Sequence, residues 1–286
     1  MTLPTSFSAA PFDEEKILAL TAGEDCWHYT GASGLLGIIQ RSELWASSAS
    51  LALNDSSELV YGRELFASAW ASMRAEYTPY ERQLGDVSTA GPLVEEQAAN
   101  VFVLSASKSG DSLNQWMHYG SQQGYSIRFD PTVALRGVVR DESNASAVTW
   151  REVIYDDQRQ RRLVKQVVSD LVTKRSRFAP EVNQILIAAT ITQLKHPAFA
   201  DEREVRATVT LSRHTSSSFR EARGKIVPYV ALAAKGAKGA SALLPIVEVR
   251  CGPGVDPRGA LVLRRLLDSY GYNAVTISQS TIPLLP

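Results

Sequence analysis

The chain has 286 residues, of which 44% are hydrophobic, enough for one large domain or two small ones, and this composition excludes disorder as the default. Thirty basic residues balance thirty acidic ones, so no overall field draws the protein to nucleic acid or an anionic membrane, and strong nonspecific nucleic-acid binding is not expected. The two cysteines, Cys26 and Cys251, lie far apart and outside any CxxC pair, which argues against a disulfide framework and a structural zinc site.

Pro11-Phe12-Asp13-Glu14-Glu15 stands where a secretory leader would need a basic start and an apolar run, and no later stretch has transmembrane length. The expectation is a soluble cytoplasmic protein with no membrane partner. Residues 1–20 read as a tail that docks as a short helix through Ile17, Leu18 and Leu20, followed by a single domain over 21–286.

Trp27-His28-Tyr29-Thr30 reads as a short strand running into Gly31-Ala32-Ser33-Gly34 and a helix through Ile39. His28 thus faces a helix start, whose free backbone N–H groups and positive dipole end suit a phosphate or another anion. The competing reading is a half-buried strand histidine bonded to a neighbouring carbonyl. Leu44-Trp45-Ala46-Ser47 follows, and after Leu51-Ala52-Leu53 the pair Asn54-Asp55 favours a turn that caps a helix from about Ser57. Asn54, Asp55 and Glu58 are therefore expected to be mainly structural. This helix runs to about Tyr77, Thr78-Pro79 stops it, and a loop of small residues extends to Pro92.

Val101-Phe102-Val103-Leu104 has strand character and empties into the polar stretch Ser105 to Asp111. After Gln115-Trp116-Met117-His118-Tyr119-Gly120, the alternation in Gly124–Asp130 predicts another strand, and Val153-Ile154-Tyr155 a further one. Trp116, Tyr119 and Tyr125 form either core or a stacking platform, the two tyrosines lying beside glycines that let a flat ligand approach. A helical insertion is expected at about 156–197, broken near Pro180. Strands at Val205–Leu211, Val227–Leu232, Pro245–Val249 and Ala274–Ile277 follow, with one helix from about Gly259 to Tyr270 and a small-residue loop at Gly236–Ser241. No regular βα beat appears, so the predicted class is α+β, with a mixed, largely antiparallel central sheet.

In His196–Arg206, Glu202 and Glu204 are placed to share one face just before and at the mouth of a strand. Two such carboxylates can bind a ribose hydroxyl, polarise a nucleophile or stabilise a cationic transition state. The alternative is a solvated charge run paired with Arg203 or Arg206. GxSxG, GxGxxG and the P-loop are absent, and His28, His118, His196 and His214 show no ligand spacing, so no metal is expected.

The ordered set His28-Tyr29-Thr30, Leu53-Asn54-Asp55 with Glu58, Leu104-Ser105-x-Ser107, Asp111, Gln115-Trp116 with Tyr119-Gly120, Gly124-Tyr125 with Phe129-Asp130, and Pro197-x-Phe199 with Glu202, Glu204 and Arg206 resembles a bacterial family known only as domain of unknown function 2971. The set extends from about Cys26 to Ser280-x-Ile282-Pro283. It departs from the family in carrying Met117 and His118 where an arginine usually follows the Gln-Trp pair.

A second resemblance concerns order alone. His28 on an early strand, Ser105-x-Ser107 or a tyrosine in the middle, and Glu202-x-Glu204 at a late strand look like the His-Tyr-Glu arrangement of the ADP-ribosyltransferase fold. That resemblance implies NAD as substrate and a cofactor-binding set of His28, Tyr29, Thr30, Ser105, Ser107, Tyr119 and Tyr125. His28 would anchor a ribose, Tyr119 or Tyr125 would stack on nicotinamide, and Glu204 with Glu202 as neighbour would be catalytic. The implied function is an NAD-dependent transferase that moves ADP-ribose to a protein or nucleic acid, as a toxin or antiphage effector. A phosphoesterase or nuclease using His28, His118 and the carboxylates, and a noncatalytic nucleotide-binding sensor, are the competing classes.

Overall fold

In a computed structural model the described residues are 19–52, 56–120, 123–138, 147–174, 180–211, 217–222, 224–234 and 242–283. Most of the tail, Asn54, Asp55, His214 and the loop at Gly236–Ser241 fall outside them. Leu20 is buried and bonds through its N–H to the Trp150 carbonyl at 2.9 Å.

Strand β1 (Trp27–Thr30) leads into helix α1 (Ala32–Arg41), whose apolar Leu35, Ile38 and Ile39 recur at i, i+3 and i+4 and are buried. Strand β2 (Leu44–Ser48) precedes the helices α2 (Ser56–Met73), α3 (Pro79–Ser88) and α4 (Gly91–Ala98). Next come β3 (Val101–Ser107), β4 (Tyr125–Phe129), β5 (Leu135–Val138), β6 (Ala147–Val148) and β7 (Trp150–Glu152). The predicted helical insertion is α5 (Asp157–Thr173) and α6 (Pro180–Ile191). The chain then supplies β8 (Glu204–Thr210), β9 (Ser218–Ala222), β10 (Lys225–Ala234), β11 (Ile246–Cys251), α7 (Pro257–Ser269) and β12 (Thr276–Gln279). The class is α+β, as expected: a 12-stranded sheet in which β11 and β12 pair parallel and the other described strand pairs are antiparallel.

Alternation along the strands sorts side chains into two cores. Phe102, Leu104 and Ala106 of β3, with Val205 and Ala207 of β8 and Ile127 of β4, face α1 and α7. Val101 and Val103 face the other way, under Phe66 of α2, Val167 of α5 and Ile187 of α6.

Strand β3 is the hub. One edge pairs with β8 along its whole length, from Val101↔Thr210 to Ser107↔Glu204. The other edge receives two strands: β2 at Phe102 and Val103, and β1 only at Ser107. Among the described residues no strand pairs with this edge at Ser105, so the sheet splits there into a β1–β4–β11–β12 wing and a wing that begins β2–β10.

Two readings are corrected. The expected loop before Pro92 is helical, because Thr78-Pro79-x-Glu81 is a capping box with proline at the first helical position: α2 ends at Met73 and Thr78 starts the next helix. The strand predicted at Val153–Tyr155 lies earlier, at β7, and Ile154 only bridges Leu194.

Gly110 sits where a Cβ would come within 2.3 Å of the Trp27 ring, while its carbonyl accepts the Ser126 hydroxyl at 2.8 Å. With the backbone tied, the Gly110→Ala substitution must displace Trp27. We expect a loss of about 1–3 kcal/mol, read as a lower urea midpoint with an unchanged m-value; a midpoint equal to wild type would show that Trp27 can move at no cost.

Candidate functional site

At the split in the sheet lies an open cleft of about 250 Å³. His28 and Tyr29 of β1, Trp45 and Ser47 of β2, Ser105 of β3, Gln115 and Tyr119 of the next segment, and Glu58, Lys195, Glu202, Glu204, Arg206 and Arg220 all line it. Ser105 is exposed although its neighbours in β3 are buried, which follows from the missing strand partner. His28 Nδ1 lies 2.9 Å from the Ser105 carbonyl and bridges the gap. A carbonyl only accepts, so Nδ1 donates and Nε2 is left as an acceptor in the neutral ring. Burial lowers the His28 pKa, opposed by that carbonyl, which favours this neutral form. His28 thus bonds a neighbouring carbonyl, as the competing reading had it, and it also lines the cleft.

Five charged side chains form the floor. Arg206, 1% exposed, donates from Nε and Nη2 to the two oxygens of Glu204, each at 2.7 Å, and from Nη2 to Glu58 at 2.7 Å. Its Nη1 donates to the Thr192 carbonyl at 2.8 Å. Lys195 Nζ reaches Glu202 at 2.6 Å and Glu204 and Glu58 at 3.1 Å each. Alternation in β8 puts Glu204 and Arg206 on one side. Arg203, in the left-handed region at φ 47°, ends the 3-10 turn Pro197–Glu202 and lets Glu202 approach the same lysine. Lys195 is presented just beyond α6 by Gln160, whose Nε2 donates to the Lys195 carbonyl at 2.7 Å.

Burial alone would push Glu204 up, but the Arg206 guanidinium and the Lys195 ammonium more than offset it and hold the carboxyl at about 2. Lys195 is in turn raised: burial lowers it, and the Glu204 and Glu58 carboxylates outweigh that. Three carboxylates against two cations leave the floor one net negative charge. Glu58 and Glu204 have both oxygens engaged, whereas Glu202 uses only Oε2, and among the described residues nothing bonds its Oε1.

Arg220 closes one end. Its Nη2 donates to the Ser47 hydroxyl at 2.9 Å, its guanidinium lies 5.8 Å over the Trp45 ring, and its buried Nε has no partner among the described residues. A donor of this kind beside an aromatic face suits an anion or a phosphate.

The structure brings His28, Ser105, Tyr119, Glu202 and Glu204 together. Tyr29 lines the cleft, but its hydroxyl is committed, donating to the Ser109 carbonyl at 2.8 Å and accepting from Ser112 N–H at 3.0 Å. Thr30, Ser107 and Tyr125 do not line it. Thr30 sits over Gly34 of α1, Ser107 donates to the Glu202 carbonyl at 2.8 Å, and Tyr125 packs on the core shared with Ile127 and Phe129. The start of α1 is likewise outside the lining. Glu58, expected to serve the helix start, instead points into the cleft and pairs with Arg206 and Lys195. Lys195 and Arg220 carried no motif; Arg220 lies on β9, whose mixed sequence Ser-Phe-Arg-Glu-Ala hides a strand.

Residues 115–207 match the model of the family described as protein of unknown function (DUF2971). The match takes in Gln115, Tyr119, Lys195, Glu202, Glu204 and Arg206 of the cleft. No curated protein and no solved structure matches the chain.

The cluster makes stability pH-dependent. A carboxyl at about 2 in the fold against an ordinary 4.5 contributes stability that is fully present above about pH 4.5 and is lost as pH falls towards 2, worth about 3 kcal/mol. Urea titrations of wild type and Glu204→Gln between pH 7 and pH 2 should therefore converge in acid by about that amount. Parallel curves would show that the pair adds nothing to the acid response.

Proposed function

We propose that this cleft binds NAD and transfers its ADP-ribose to a protein or nucleic-acid acceptor. One observation carries the reading: His28, Tyr119 and the Glu202–Glu204 pair, from three distant segments, line one cleft whose floor bears a net negative charge. When the bond from the sugar C1′ to nicotinamide breaks, the electron pair leaves with the ring nitrogen and positive charge develops on the sugar. Fixed carboxylates beside that carbon stabilise the developing charge without reorganising. An acceptor nucleophile then closes the new bond at C1′.

The hydrogen bonds divide the work. Glu204 is saturated by Arg206 and Lys195, so it acts on the floor's charge and positions Lys195, while Glu202 offers its open Oε1 to a ribose hydroxyl. The open Nε2 of His28 accepts a second hydroxyl, Tyr119 stacks on the nicotinamide ring, and Arg220 with Ser47 takes a phosphate. The saturation of Glu204 also favours a second reading, a noncatalytic nucleotide-binding module in which the same contacts bind and nothing is cleaved.

Incubation with labelled NAD, alone and with cell lysate as acceptor, separates the two. The wild type is expected to release nicotinamide and label a macromolecule, and Glu202→Gln to slow release by roughly a hundredfold or more with NAD affinity nearly unchanged. Tight NAD binding without release would establish the binding module instead, and no NAD binding at all would end both readings.

A further inference from the structure

We propose that Gln115 reads the edge of the ligand's planar ring through its side-chain amide. This rests on the reading above for which ring that is, the carboxamide-bearing nicotinamide, but not for the presence of a recognition group. Gln115 is 7% exposed and lines the cleft, yet among the described residues neither its Oε1 nor its Nε2 has a hydrogen-bond partner. Buried amides are ordinarily satisfied. Gln160 shows the ordinary case here, donating to the Ile154 carbonyl at 2.6 Å and the Lys195 carbonyl at 2.7 Å while accepting from the Tyr61 hydroxyl at 2.6 Å. An amide buried against a cleft with both ends unspent is placed for a ligand.

The segment that carries it is anchored. Trp116, the next residue, packs edge-on against Tyr29 at 4.7 Å and donates from Nε1 to Asp111 at 2.9 Å. Asp111 also accepts from the Ser280 hydroxyl at 2.6 Å and from Thr281 N–H at 2.8 Å, so the turn is tied to the chain's last described residues. Tyr119 follows Gln115 by four residues and lines the same cleft. We place a ring stacked on Tyr119 with its edge toward Gln115. A primary amide holds one acceptor and one donor side by side in a plane, and its complement is another group with the same pair, such as a carboxamide. A carboxylate cannot supply the donor, and it would also meet the negative floor.

The test is binding, measured by calorimetry with NAD and with its analogue bearing a carboxylate in place of the nicotinamide carboxamide. Wild type is expected to prefer NAD by at least about tenfold, and Gln115→Leu to lose most of that preference. Because leucine removes an amide that bonds nothing else in the described fold, the variant's melting temperature is expected to hold or rise, whereas a structural amide would lose stability. Gln115→Glu, which keeps the shape and removes the N–H donors, should also lose the preference. Unchanged discrimination in both variants with nicotinamide release intact overturns this proposal and leaves the transferase reading standing. Discrimination that depends on Gln115 without any nicotinamide release sustains it and overturns the transferase. Binding of neither dinucleotide by the wild type overturns both.

Discussion

Two strands share one edge of β3 and do not meet. Strand β2 holds that edge at Val103 and β1 holds it at Ser107, so Ser105 between them faces open space in the middle of a sheet. Sheet twist makes this divergence cheap, since neighbouring strands rotate relative to one another and two strands on one edge separate as they leave it. The rest follows from the gap. His28 reaches across it because a side chain must take the carbonyl that a strand would have taken. Through the same gap the cleft opens onto the far side of β8, where Glu204 and Arg206 lie among helices.

A cluster of five buried charges is not in itself a stabilising device. Removing ions from water costs several kcal/mol each, and apolar packing of equal volume often does as well. What the cluster gains is position. Arg206 of β8 is tied to Glu58 of α2 and to the Thr192 carbonyl beyond α6, so one guanidinium fixes the sheet to two helices. Lys195 stands among three carboxylates, where its ammonium keeps them together despite their repulsion. Removal of either cation would leave carboxylates that must protonate or part.

Much of this was legible in the sequence. Periods of two and of about 3.6 located β3, β4, β8, β10 and the paired helices α5 and α6, since their apolar faces are wide enough to show. The pair Glu202 and Glu204 was found by spacing. Strands β2, β5, β6 and β9 were missed, and β7 placed too late, because they are short or mixed, and a neighbour rather than their own pattern makes them strands. Parity did hold one answer that was left open: Tyr125 alternates in phase with Ile127 and Phe129, so it belongs to their core, and Tyr119 is the tyrosine at the cleft. Glu58 and Lys195 were out of reach, because their meaning lies in Arg206 and Glu204, which come close only after α2 and α6 pack on the sheet.

Between two carboxylates at one site, linear order favours the one that heads the strand, yet hydrogen-bond accounting favours the other. Glu204 has Arg206 on both oxygens, Lys195 on one and the Ser105 hydroxyl beside them, so a further hydroxyl arriving there would have to displace one of these donors. Glu202 can accept at Oε1 while Oε2 stays on Lys195, so a ligand hydroxyl adds a bond and breaks none. Lys195 then shares its charge among Glu58, Glu202 and Glu204 as before, and the floor keeps its geometry. A site of this kind is prepared before any ligand comes: its charges are already paired and oriented, so under the transferase reading we propose, stabilising a cation at the sugar would need no rearrangement at the moment that cation forms.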